Sequence, residues 1–203
     1  MRLLCPSDPR RCLPLLIGDG DSEQGARLGG RPPLNVRPLN KKCVYFISVP
    51  MDVAGTTYLS VFVNTSVKRF SEMNAKVLPS GTGVELIEHP AAPRVTQAEA
   101  VSEWSEHPLV PLDEIDDDVP LETGRVQPLS SHKVGGRPYF VQAFKKLRQS
   151  VEALEQQGYR QLLQLDFPGK RDAEVGGTWP FGDGVFHVFV KANGGPFYWF
   201  FEF

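Results

Sequence analysis

The runs YRQLLQLDFPG, Tyr159 to Gly169, and WPFGDGVFHVFVKA, Trp179 to Ala192, decide the fold. In the first, Leu163, Leu165 and Phe167 fall on one side of an extended chain, Gln164 and Asp166 fall on the other, and Pro168-Gly169 ends it. In the second, a turn signal at Gly182, Asp183 and Gly184 precedes Val185, Phe186, Val188, Phe189 and Val190, a density that suits a strand covered on both faces. Both read as buried strands. The closing run, Pro196 to Phe203, is aromatic enough to require docking as a last strand.

On the N-terminal side, Val141, Phe144, Leu147, Val151 and Leu154 recur at steps of three and four, which predicts a helix from Val141 to Gln157. Gly158 stands where a left-handed stop belongs. Further back, Pro108 to Ser131 carries four prolines and the acids Asp113, Glu114, Asp116, Asp117 and Asp118, and reads as a connector. Thr96-Gln97-Ala98-Glu99 fits a capping box opening a short helix to Trp104. Cys43 to Val49, Thr57 to Val63 and Val84 to Glu88 read as strands, the first two as a hairpin or meander. Residues 1–40 read as an irregular lead-in.

With 203 residues the chain can bury roughly 70% of its unfolded surface, enough for a core without metal or disulfide staples. A formal charge of -2 gives no argument for nucleic acid or an anionic membrane as partner. Cys5, Cys12 and Cys43 cannot all pair internally and form no CxxC unit, which points to reduced thiols in the cytoplasm. The run Leu13 to Ile17, broken by Pro14, is too short for a secretory segment or membrane span.

Leu28-Gly29-Gly30-Arg31-Pro32 is echoed by Val134-Gly135-Gly136-Arg137-Pro138, and two strand-like runs follow each copy. The glycines supply backbone freedom while Pro32 and Pro138 fix the exit direction, so Gly29, Gly30, Pro32, Gly135, Gly136, Pro138, Gly182, Asp183 and Gly184 read as structural turns. The expected architecture is a mixed α+β fold: mostly antiparallel sheets from a fused internal duplication, with a few peripheral helices. It forms one domain, 1–203, with halves about 27–90 and 133–203 joined by the acidic connector 105–131.

Over Gly135 to Ala192 the chain resembles the YwqG-like family of uncharacterised bacterial proteins. The matching residues are Gly135, Gly136, Pro138, Leu162 to Asp166, Trp179, Gly182, Asp183 and Phe186 to Phe189, with Gly29, Gly30 and Pro32 as a weaker first copy. The resemblance implies an α+β fold with an internal repeat, no established catalytic residues, and an association with toxin-immunity loci. A more distant similarity through GG-x-P is to eukaryotic programmed-cell-death-two-type proteins, which escort a ribosomal protein. Both associations point to protein binding.

The search for chemistry yields little. Asp19 to Glu23 superficially resembles a calcium loop, but Gln24 and Gly30 occupy the positions that need Gly and Glu. No P-loop, GxSxG elbow, HExxH helix or dinucleotide fingerprint occurs, and no metal or cofactor is expected. His187 reads as a hydrogen-bonded structural histidine, and Asp183 as a turn cap. The alternative is an enzyme with a site formed by Asp166, Asp183 and His187, which requires a shared pocket. The acidic residues Asp113, Glu114, Asp116, Asp117 and Asp118 are the candidate partner-binding set, facing a basic toxin domain. The expectation is thus a non-enzymatic, cytoplasmic immunity protein, with an enzyme or a folding escort as alternatives.

Overall fold

The computed structural model describes residues 6, 8–18, 26–52, 54–65, 73–93, 104, 106–123, 125–142, 144–166, 180–181 and 183–203. Of these, 46% are strand and 8% helix, and the sheet curls into a half-barrel. The expected α+β class with several helices is therefore corrected to a mostly antiparallel β fold. The reason lies in two stretches read as irregular. The lead-in supplies β1 (Arg11–Ile17) and β2 (Ala26–Leu28), and the connector supplies β7 (His107–Pro111). The helix expected after Thr96 lies outside the described residues, as do Cys5, Trp179, Gly182 and the stretch 19–25.

The strands recognisable in sequence are β3 (Cys43–Pro50), β4 (Thr57–Asn64), β6 (Val84–Pro90), β12 (Tyr159–Leu165), β13 (Val185–Lys191) and β14 (Tyr198–Glu202). Short strands β5 (Leu78–Pro79), β8 (Ile115–Asp116), β9 (Asp118–Pro120), β10 (Val126–Pro128) and β11 (Lys133–Gly135) complete the set. The main sheet runs β5-β14-β13-β12-β11-β1-β7-β2-β3-β4-β6, with β8 also on β1, while β9 and β10 form a separate ribbon.

The order β11-β12-β13-β14 mirrors β2-β3-β4-β6 across the central β1–β7 pair, and the registers match. Leu28 faces Ile47 as Val134 faces Leu163, and Ser48 faces Ser60 as Gln164 faces His187. Register shifts fall at Tyr45/Ile47 and at Gln161/Leu163. In the middle, Leu15 pairs with Pro111 and Ile17 with Leu109, leaving Leu16 opposite Val110 on the pseudo-two-fold. Each arm borrows its fifth strand from distant sequence, β1 for the second arm and β7 for the first.

Pro14 is tolerated inside this sheet because of where it falls. β7 ends at Pro111 and β8 begins at Ile115, so a missing donor on that side costs no ladder bond, and the Pro14 carbonyl still accepts from Leu112 N–H at 2.8 Å.

One face of both arms forms a single core, with Leu28, Ile47 and Val61 from one arm and Val134, Leu163 and Val188 from the other. Phe46 ties the two together, its ring 4.9 Å from Trp104 and 5.9 Å from Phe181. The link between β4 and β6 crosses to the opposite sheet edge, where β5 pairs with β14 and Ala75 N–H donates to the Phe201 carbonyl at 2.9 Å.

The outer faces carry smaller cores. Helix α1 (Lys145–Gln156) lays Leu147, Val151 and Leu154 on Phe189 and Phe200, and Gly158 at φ 86° stops it. It begins four residues later than the apolar periodicity predicts, and Val141 and Phe144 are exposed. The amides of Val141 and Gln142 are drawn instead to the Glu202 carboxylate, which holds the chain extended there. Among the described residues no helix is long and apolar enough to cross a membrane.

After each Gly pair the chain reverses over the outer face of its own arm. Gly29, Gly30, Gly135 and Gly136 all have φ between 66° and 75°, the left-handed region in which a Cβ is penalised. A Cβ on Gly136 would also lie 2.7 Å from Asp117 Oδ2, and one on Gly30 would collide with the Glu106 carboxylate. Gly81 has φ 96° but nothing within 4 Å of its Cβ position. Gly136→Ala should therefore cost at least about 2 kcal/mol more than Gly81→Ala in urea denaturation, the excess arising from displacing a buried carboxylate. Equal costs would show that the close approach is unimportant.

Candidate functional site

The second Gly pair sits on a buried polar cluster. Lys133 and Asp117 are both 0% exposed, with Nζ 2.6 Å from Oδ1. Lys133 Nζ also donates to the Arg137 carbonyl at 2.8 Å, and Asp117 accepts the backbone N–H groups of Leu129 at 3.1 Å and Arg137 at 2.7 Å. Burial lowers the Lys133 pKa, opposed by Asp117 beside it. Burial likewise pushes the Cys12 thiol up to about 12, with Asp117 adding to the effect.

The cluster extends along the outer face. His187 Nδ1 lies 2.9 Å from Gln161 Oε1, and Gln161 Nε2 donates to the Gly135 carbonyl at 2.9 Å. Gln164 accepts from Tyr139 N–H at 3.0 Å and donates to the carbonyls of Leu129 and Ser131. At the outer strand Glu202 accepts from Val141 N–H at 2.7 Å and Gln142 N–H at 3.3 Å. Buried acceptors thus receive the alternate amides of residues 137, 139 and 141 as the strap crosses the sheet.

The first arm solves the same problem with Glu85 on β6, which accepts from Leu39 N–H at 2.6 Å and Asn40 N–H at 2.7 Å. Arg27, two residues before Gly29 as Lys133 is before Gly135, is buried and donates to Tyr45 Oη at 3.3 Å. Ser48 and Ser60 hydroxyls lie 2.6 Å apart, and Ser60 Oγ is 2.8 Å from His89 Nε2. His89 Nδ1 lies 2.7 Å from the Pro90 carbonyl, which fixes the tautomer: Nδ1–H donates to that carbonyl, and Nε2 accepts the Ser60 proton. This is the geometry of a base-activated hydroxyl. Ser60 is 0% exposed, however, so it reaches no substrate in this conformation and serves as a cross-strand tie.

The alternative set Asp166, Asp183 and His187 is not drawn into one pocket. His187 is fully buried and stacked on Phe200 at 4.2 Å, and burial followed by the Lys133 charge holds its pKa well below 6.5, so it stays neutral. Asp183 is exposed on the turn before β13, while the Asp166 amide donates to His132 Nδ1 at 3.2 Å. Of the turn residues, Pro32, Pro138 and Gly184 are buried, and a Cβ on Gly184 would sit 2.6 Å from the Glu202 carbonyl.

The acidic residues divide by environment. Asp113, Glu114 and Asp116 are exposed, with Glu114 paired to Arg11 at 3.0 Å. Asp118 is half-buried and pairs with Arg137. Asp117 is internal. Of the five acids in the candidate partner-binding set, Asp113, Glu114 and Asp116 are the ones that stand exposed. Sequence reasoning missed Lys133, Gln161, Gln164 and Glu202. The signal for Lys133 was its alignment with Arg27 in R-L-G-G-R-P and K-V-G-G-R-P.

The chain matches no protein-family model, no curated protein and no solved structure. Function must be argued from these surfaces.

Asp117→Ala strands a buried ammonium and should cost about 3–5 kcal/mol, while Asp117→Leu with Lys133→Met should recover most of it, as read by urea unfolding. Recovery of less than half would mean that Asp117's backbone bonds matter more than the charge pair. Glu202 gives a pH signature. Burial raises its pKa from 4.5 to about 7, opposed by the two backbone donors. The folded state therefore holds a proton that the unfolded state releases, and stability falls as pH rises from 4.5 to 7. The fall should be on the order of 2–3 kcal/mol and should vanish in Glu202→Gln, by thermal or urea unfolding across that window.

Proposed function

We propose that this is a non-enzymatic binding protein of the cytoplasm that neutralises a cognate bacterial toxin by occluding a basic surface. The observation that carries the reading is the exposed position of Asp113, Glu114 and Asp116 on a segment anchored along β1. Loop carboxylates held by a sheet keep a fixed spacing, and a fixed charge pattern steers a complementary partner at little ordering cost. The resemblance of the Gly135 to Ala192 motifs to the YwqG-like family adds support through its association with immunity loci. Among the described residues the two thiols, Cys12 and Cys43, are free and buried.

Expression of the chain should protect cells against a toxin encoded beside it, and the purified proteins should form a complex. Absence of any complex with the neighbouring gene products defeats the proposal. Charge neutralisation must spare Asp117, whose loss attacks the fold. The triple variant D113N/E114Q/D116N should slow association by about tenfold at low salt and flatten its salt dependence, as read by stopped-flow mixing. An unchanged rate and salt slope would remove these carboxylates from the mechanism.

A further inference from the structure

We propose that the outer face of the β1–β7 pair is a docking surface for a protein segment presenting an apolar side chain flanked by lysine or arginine. This rests on the protein-binding reading above and names the surface and the partner's chemistry. Leu16 and Val110 face each other across the two strands and are 54% and 46% exposed. Leu112, whose amide is bonded to Pro14, and Ile115, opposite Cys12, continue the line along β1, and both are exposed. Single exposed aliphatics are ordinary on any protein, whereas a row of four in the middle of a sheet marks a contact surface.

The neighbouring outer faces are already occupied. Helix α1 and the strap through residues 137–142 cover the second arm, and the chain around Val36 covers part of the first. Among the described residues, none lies over the central pair between them, and Leu16 and Val110 are exposed there.

Charge selects the occupant. Asp113, Glu114 and Asp116 border the apolar row, and Arg11 is paired with Glu114. A second copy docking about a two-fold would bring this same acidic border against itself, which is repulsive. A basic border on the partner is attractive, and its apolar centre would cover Leu16 and Val110.

The probe is a fluorescein-labelled peptide of alternating lysine and leucine, compared with alternating lysine–serine and glutamate–leucine peptides in anisotropy titrations against the full chain. The lysine–leucine peptide should bind at least about tenfold more tightly than either control, and affinity should fall with salt. Both L16S/V110S and D113N/E114Q/D116N should weaken it by about tenfold or more. Because all five side chains are exposed, both variants should keep the wild-type circular dichroism and melt within a few degrees of it. No binding, equal binding of the lysine–serine peptide, or equal binding to L16S/V110S overturns the proposal. A dimer in sedimentation equilibrium that L16S/V110S dissociates assigns the face to a second copy and also overturns it. If a neighbouring toxin binds the wild type and L16S/V110S alike, the surface is wrong while the neutralising function stands. Peptide binding as described without any toxin complex leaves the surface and removes that function.

Discussion

The structure depends on giving hydrogen-bond partners to a backbone that turns back over its own sheet. At each Gly-Gly the strand ends in left-handed conformation and the following chain crosses the outer face, where it can use no ladder partner. An amide that loses its water on this face and stays unpaired would cost about 1–3 kcal/mol, and acceptors are built into the sheet beneath. Asp117, Gln164 and Glu202 do this in the second arm, and Glu85 does it in the first. Asp117 is in addition matched by a counter-charge, Lys133 beneath the glycines.

This solution commits many residue types that elsewhere perform chemistry. The Ser60–His89 contact and the His187–Gln161 contact are cross-strand ties with no exposed nucleophile, and Lys133 is sealed beside Asp117. What faces solvent along the central strands is of another kind: a short apolar row and three carboxylates. That distribution of polar groups among the described residues is the support for the proposal of partner binding.

The sequence was most legible where burial on both faces left a dense apolar run. Val185 to Lys191 and Tyr198 to Glu202 are strands for that reason, and Gly158 ends the helix as its position indicates. It was least legible where a strand is short or carries proline. β1 contains Pro14, and β7 contains Pro108 and ends at Pro111, so local propensity argues against both while tertiary pairing makes them strands. The helix start was misplaced because periodicity cannot register a carboxylate 61 residues away that captures the Val141 amide. Composition does not reveal that one of the five acids, Asp117, points inward to a lysine.

The exchange of strands between the arms bears on how the chain is made. β1 precedes the other described strands, yet it pairs with β11 through Cys12 opposite Gly135, more than a hundred residues later. It therefore emerges before either neighbour, and one edge must wait for β7 and the other for β11. Pairing of this range closes a long loop before it is rewarded, which slows folding and lengthens exposure of an aliphatic strand. The same arrangement ensures that neither arm is finished alone: the first lacks β7 until the middle of the chain appears, and the second recruits its last strand from the beginning.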